Sequence, residues 1–183
     1  MSLAITRSDY AGLLDQTDQA AIADDLRAYF GPHAEVFLAT YEKIRHRRGF
    51  GRTMPVTWSW QVLFTSYAWL YYRKLWLSAT LAALILALPL GLPALADNAL
   101  SLTLTLLMCA YSKAWYVRVA LGQLAKADQL GLSGDARRRY LLQTGGTSPL
   151  AAGIASVAMA LLMVWSIWPM LRDSYVLLSV IGA

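Results

Sequence analysis

Few residues in this 183-residue chain carry groups suited to catalysis or metal binding, and their spacing decides what they can do. His33 and His46 stand thirteen positions apart, with no cysteine or second histidine at ligand spacing, so no tetrahedral metal site assembles locally. Cys109 is the one cysteine and lies in an apolar run. A lone thiol makes neither an internal disulfide nor a cysteine metal cluster. Gly145-Gly146-Thr147-Ser148 is glycine-rich ahead of a helix, a place where anions bind. It lacks the lysine and spacing of a phosphate-binding loop, so it reads as a hinge and a cap. There is no GxSxG, no GxGxxG and no nucleophile–base pair. The expectation is a protein that is not an enzyme and uses no cofactor and no metal.

The remaining chemistry is that of charge beside apolar sequence. Hydrophobic residues make up 57% of the chain and charged residues 15%, which departs from globular averages in the direction of a bilayer protein. The net charge is +5. A basic chain raises the question of nucleic acid, but here the Lys and Arg cluster beside apolar runs, which membrane orientation explains, so no nucleic-acid partner is expected. Carboxylates are absent from the three long apolar runs, which argues against a proton-relay transporter. Lys113 is the one intramembrane charge, and its four-carbon stem lets it snorkel to the interface.

These groups need elements to position them, and the pattern gives an all-α fold. Residues 1–56 form a cytoplasmic N-terminal region of amphipathic helices. Thr17-Asp18 caps a helix through Phe30, with Ile22, Leu26, Tyr29 and Phe30 on one face. A second helix over 33–48 carries Ala34, Phe37, Leu38, Tyr41 and Ile44 at 3–4 spacing and ends in a basic cluster. Residues 57–183 form the membrane domain. Its first segment, 58–72, is too short to cross and reads as an aromatic interfacial or re-entrant helix. On the wheel, Trp60, Leu63, Phe64, Tyr67, Leu70 and Tyr71 share the apolar arc, with Ser59, Gln61 and Arg73 opposite. Trp58, Trp60, Trp69 and Trp76 suit the headgroup belt, and Arg73-Lys74 sets orientation at the start of the apolar run.

Three transmembrane helices follow: 75–96, 99–120 and 150–171. Asp97-Asn98 is read as the tight turn between the first two. The cytoplasmic loop 121–148 holds a helical extension to residue 130, a break at 131–134 and a short helix bearing Arg137, Arg138 and Arg139. Ser148 caps the last span, with Pro149 at its first helical position. Ala152, Ser156 and Ala160 make a small-residue row for helix packing. Nine Lys/Arg precede the first span, six lie from Lys113 to Arg139, and one follows the last span. The positive-inside rule then places the N-terminus in the cytoplasm and the C-terminus outside.

The run WSWQVLFTSYAWLYYRKLWL resembles the signature of the bacterial domain-of-unknown-function 2628 family. The positions that carry the likeness are Trp58, Trp60, Phe64, Trp69, Tyr72, Arg73, Lys74 and Trp76, with VFLATYEKIRHRRGF upstream and AWYVRVALGQLAKA and the 145–148 turn downstream. Gln61-Val62 and Ser66-Tyr67 stand where that family carries small residues and a Gly-Pro. The resemblance implies a small bacterial multi-pass protein of the inner membrane and carries over no catalytic residue. The expected role is an accessory, scaffold or regulatory membrane module. Its partners are the lipid bilayer with anionic headgroups, and a membrane protein or a second copy. The alternative is a small oligomeric transporter or channel built around Lys113.

Overall fold

The computed structural model describes residues 12–14, 18–46, 54–65, 67–87, 93–162, 164 and 168. Among these, every regular element is helical. They are α1 (Gln19–Phe30), α2 (Ala34–His46), α3 (Trp60–Thr65), α4 (Tyr67–Tyr72), α5 (Trp76–Ala87), α6 (Ala94–Gln129), α7 (Gly134–Thr144) and α8 (149–162).

The amphipathic pattern of the N-terminal helices maps directly onto burial. Asp18 is the N-cap of α1 and accepts from the Ala21 N–H at 3.1 Å. The buried face of α1 is Ile22, Leu26, Tyr29 and Phe30. Gly31 ends the helix with φ +64° and ψ −136°, a combination outside the left-handed helical region and open essentially to glycine alone. The buried face of α2 is Phe37, Leu38, Thr40, Tyr41 and Ile44. Both faces close on the C-terminal half of α6, where Ala114, Tyr116, Val117, Ala120, Leu121 and Leu124 are buried. Leu141 of α7 completes this core.

Polar bonds tie the head together around that core. Arg137 of α7 pairs with Asp25 of α1 at 2.6 Å and with Asp128 near the end of α6. Burial works against the Arg137 charge, but its hydrogen bonds to Asp128 and Asp25 outweigh it, so its pKa is raised. Tyr140 of α7 donates to Gln123 of α6 at 2.8 Å, and Tyr41 of α2 donates to Gln19 of α1 at 2.6 Å.

α6 is one continuous helix of 36 residues, about 54 Å long at 1.5 Å per residue. Asp97 and Asn98 therefore do not form a turn. Pro93 sits at the N-cap, and Asp97 lies in the first turn. There a carboxylate is favoured by the helix dipole. α6 accordingly begins upstream of the expected turn, and residues 88–92 lie outside the described residues.

The opposite end of the molecule is apolar on its outside. Leu81, Leu84 and Ile85 of α5 are exposed, as are Leu102, Leu106 and Leu107 in the first half of α6. On α8 the exposed side chains are Leu150, Ile154, Val157, Leu161 and Leu162. The stretch Gly134–Leu162 contains one segment long and apolar enough to cross a membrane by length and composition. Helical geometry lapses at residues 145–148, so the apolar part is α8, because α7 carries Asp135 and three arginines. Only 11% of that apolar window is buried, unlike the core helix of a globular domain.

Candidate functional site: a cationic aromatic junction

The tripeptide Tyr72-Arg73-Lys74 closes α4 in a Schellman turn. The Leu75 N–H donates to the Leu70 carbonyl at 2.9 Å and the Lys74 N–H donates to the Tyr71 carbonyl at 3.1 Å. The left-handed position of that motif is Lys74, with φ +57° where glycine is usual. Each of the three residues then holds a different element. The Tyr72 carbonyl accepts from the Ser148 N–H at 2.8 Å. Arg73 Nη1 donates to the Phe30 carbonyl at the end of α1 at 3.1 Å. Lys74 Nζ donates to the Gln143 carbonyl at the end of α7 at 3.3 Å. Both cations thus meet the negative ends of helix dipoles.

Arg73 is only 4% exposed, and its guanidinium lies in an aromatic surround. Its carbon is 4.6 Å from the Phe37 ring centroid, 5.3 Å from Tyr72 and 5.4 Å from Tyr116. Cation–π attraction of this kind reaches about 2 kcal/mol when desolvated. Among the described residues no carboxylate lies within ion-pair distance of Arg73. Its Nε has no hydrogen-bond partner. Tyr116 is the hub of the ring cluster, within 6.1 Å of Tyr29, Phe30, Phe37 and Trp69 by centroid.

Gly145 and Gly146 dock against the end of α1. The Gly146 N–H donates to the Tyr29 carbonyl at 2.6 Å. A Cβ added at Gly145 would lie 2.3 Å from that same oxygen. The glycine pair is thus a close-approach site. Burial, with the Tyr116 and Tyr140 phenols adding to it, pushes the Tyr29 phenol well above its ordinary value.

A second clasp lies on α6. Residues 57–59 run extended beside the helix, with the Thr57 N–H donating to the Ala110 carbonyl at 2.8 Å and the Ser59 N–H to the Cys109 carbonyl at 3.0 Å. Lys113 Nζ donates to the Trp58 carbonyl at 2.8 Å. Lys113 therefore snorkels no further than the neighbouring backbone.

Between these two clasps lies a cavity of about 650 Å³. Arg73, Lys113 and His33 line it together with Phe37, Trp58, Trp60, Trp69 and Tyr72. Ala152 and Ser156 of α8 form one wall, and among the described residues no Asp or Glu lines it.

The residues expected at a membrane interface separate into two groups. Trp58, Trp60 and Trp76 are exposed at 39%, 64% and 44%. Trp69 and Arg73 are buried, and Tyr72 and Lys74 are half-buried. The expected apolar arc of 58–72 is corrected. The segment forms two short helices, and Ser59, Val62, Trp69 and Arg73 are buried while Trp60 faces out. The reason is that α3 packs on α6, and Arg73 at the end of α4 reaches back to the Phe30 carbonyl and the Phe37 ring. Phe64 belongs to α3, but its side chain lies outside the described residues. In the small-residue row, Ala152 and Ser156 line the cavity, Ala152 half-buried and Ser156 exposed, while Ala160 is exposed away from it. Ala155, absent from the row, is the buried alanine. Sequence reasoning missed Tyr116 as hub and Gly145 as contact. The Gly-Gly pair was the available signal for the latter.

His33 has φ +64°, and the exposed His46 Nδ1 lies 2.9 Å from the Glu42 carbonyl. Cys109 is fully buried. Among the described residues no three His, Cys, Asp or Glu side chains come together. Comparison of the chain with protein-family models, with curated proteins and with solved structures returned no match.

Proposed function

We propose that this chain is a non-enzymatic multi-pass membrane protein, an accessory, scaffold or regulatory module with a helical head on the cytoplasmic side. α6 carries the reading. Residues 98–112 hold no charge and expose leucines, while the second half of the same helix is the core of a charged head. A helix of that kind suits a protein seated half in lipid and half in water. The expected crossings 75–96, 99–120 and 150–171 then reduce to α5, the first half of α6 and α8, with the C-terminus outside, because all the Lys and Arg but Arg172 lie on the head side of them. The exposed Trp58, Trp60 and Trp76 fall at the boundary, where an indole suits the headgroup level. The sequence likeness to the domain-of-unknown-function 2628 family supports the same placement, in a bacterial inner membrane.

Alkaline phosphatase fusions test the topology. A fusion at Ala183 is expected to be active and one at Gly134 inactive; activity at Gly134 refutes the arrangement. Lys113, the charge a transporter would use, is engaged by the Trp58 carbonyl, which favours the module reading over an oligomeric channel. Native mass measurement in nanodiscs separates the two, since three spans enclose no pathway as a monomer.

A further inference from the structure

We propose that the cavity between the two clasps seats the phosphate of an acidic phospholipid, whose acyl chains leave along α8; this rests on the membrane reading above. Three observations carry it. Arg73 and Lys113 line the cavity from different elements, and among the described residues no Asp or Glu lines it. Arg73 is 4% exposed and, among the described residues, has no carboxylate within ion-pair distance, so ring faces and one carbonyl are what its charge meets. An anion is what such a lining lacks, and phosphate suits a guanidinium.

The second observation is depth. Lys113 is the first charge after the uncharged run 98–112, so the cavity lies where α6 changes from apolar exterior to charged head. That is the level of lipid phosphates. The third is the wall. Ala152 and Ser156 present small side chains to the cavity, and the neighbouring Ile154 and Val157 are exposed at 64% and 61%. An acyl chain leaving past the small residues meets a continuous apolar surface. The volume, about 650 Å³, is within the range of small-molecule sites and exceeds what a phosphate alone fills.

The ligand chemistry is a phosphate ester, and the test separates lipid from free anion. Protein in mild detergent is titrated with phosphatidylglycerol, with phosphatidylcholine of the same chains, and with inorganic phosphate. Bound lipid is read by native mass spectrometry. Phosphatidylglycerol is expected to be retained about tenfold better than phosphatidylcholine, whose phosphate is the same but whose choline cation is repelled by Arg73 and Lys113. Ser156→Trp, which blocks the cavity from an exposed helix position, and Lys113→Gln are each expected to lower that retention about tenfold. The Ser156→Trp melting curve should stay unchanged. Equal retention of the two lipids, or full retention by folded Ser156→Trp, overturns the proposal. Inorganic phosphate competing as well as the lipid overturns the lipid assignment in favour of a free anion. Carbonate extraction keeps the two readings apart. A chain released from membranes fails the membrane reading, whereas one that stays and shows no lipid preference fails only this inference.

Discussion

Gly145→Ala tests the junction at its tightest point. Gly145 has φ −101°, which alanine adopts freely, so backbone strain is not the issue. The added methyl would lie 2.3 Å from the Tyr29 carbonyl oxygen and 2.7 Å from the Tyr29 ring. Relief requires the glycine turn to move off α1. That movement breaks the 2.6 Å hydrogen bond from Gly146 to Tyr29. Overpacking costs about 1–3 kcal/mol and a lost hydrogen bond about 1 kcal/mol, so the expected loss is about 2–4 kcal/mol. For a chain of this length that is a fall in melting temperature of about 4–16 °C. The assay is far-UV circular dichroism on detergent-solubilised protein. Gly146→Ala is the control. Its φ is +77°, but its Cβ would meet nothing within 4 Å, so only the left-handed penalty of about 1–2 kcal/mol applies. If Gly145→Ala melts at the wild-type temperature, or above Gly146→Ala, the close-approach argument is wrong.

Other perturbations probe separate bonds. Arg73→Lys is expected to cost about 1–3 kcal/mol by the same melting assay, because an ammonium replaces a stacked, planar guanidinium at Phe30, Phe37 and Tyr116. Asp18→Ala, which removes the cap of α1, is expected to cost about 1 kcal/mol. Arg137→Gln should lose about 1–3 kcal/mol, and the further change Asp25→Asn should add less than it does in wild type, since the two side chains share one bond. Alkaline pH should destabilise the head through Tyr29. Its folded-state pKa is raised, so its contribution is complete below the ordinary value near 10 and is lost as pH rises above it. Tyr29→Phe should flatten the stability–pH curve above about pH 10; an unchanged slope assigns the loss to other groups.

The helical class and the faces of α1 and α2 were legible because burial there follows a single period. Ile22, Leu26, Phe37 and Tyr41 are each read correctly from spacing alone. The Asp18 and Ser148 caps were legible for the same local reason, and Ser148 Oγ accepts from Ala151 N–H at 3.4 Å. The Asp97-Asn98 pair misled because polar residues suggest a turn, whereas at the start of a helix a carboxylate is favoured. The segment 58–72 misled differently. A wheel assumes one helix with one wet side and one dry side, but this segment is two short helices, the first packed on α6 and the second ending in Arg73, which reaches the end of α1. The junction itself was illegible. Arg73 bonds a residue 43 positions away and Lys74 one 69 positions away, and no local pattern encodes either pairing.

The chain order of the head's core has a consequence for biosynthesis. α1 and α2 leave the ribosome first, yet their apolar faces close on 114–127 of α6 and on Leu141. At about 5–20 residues per second, synthesis from residue 46 to residue 127 takes about 4–16 s. For that interval α1 and α2 have only each other to pack on, as Phe30 and Phe37 do, and the surface that α6 covers stays open. Closure of this core therefore waits on the synthesis of α6 and α7, and the open apolar faces of α1 and α2 are the surface a holding chaperone would cover until then.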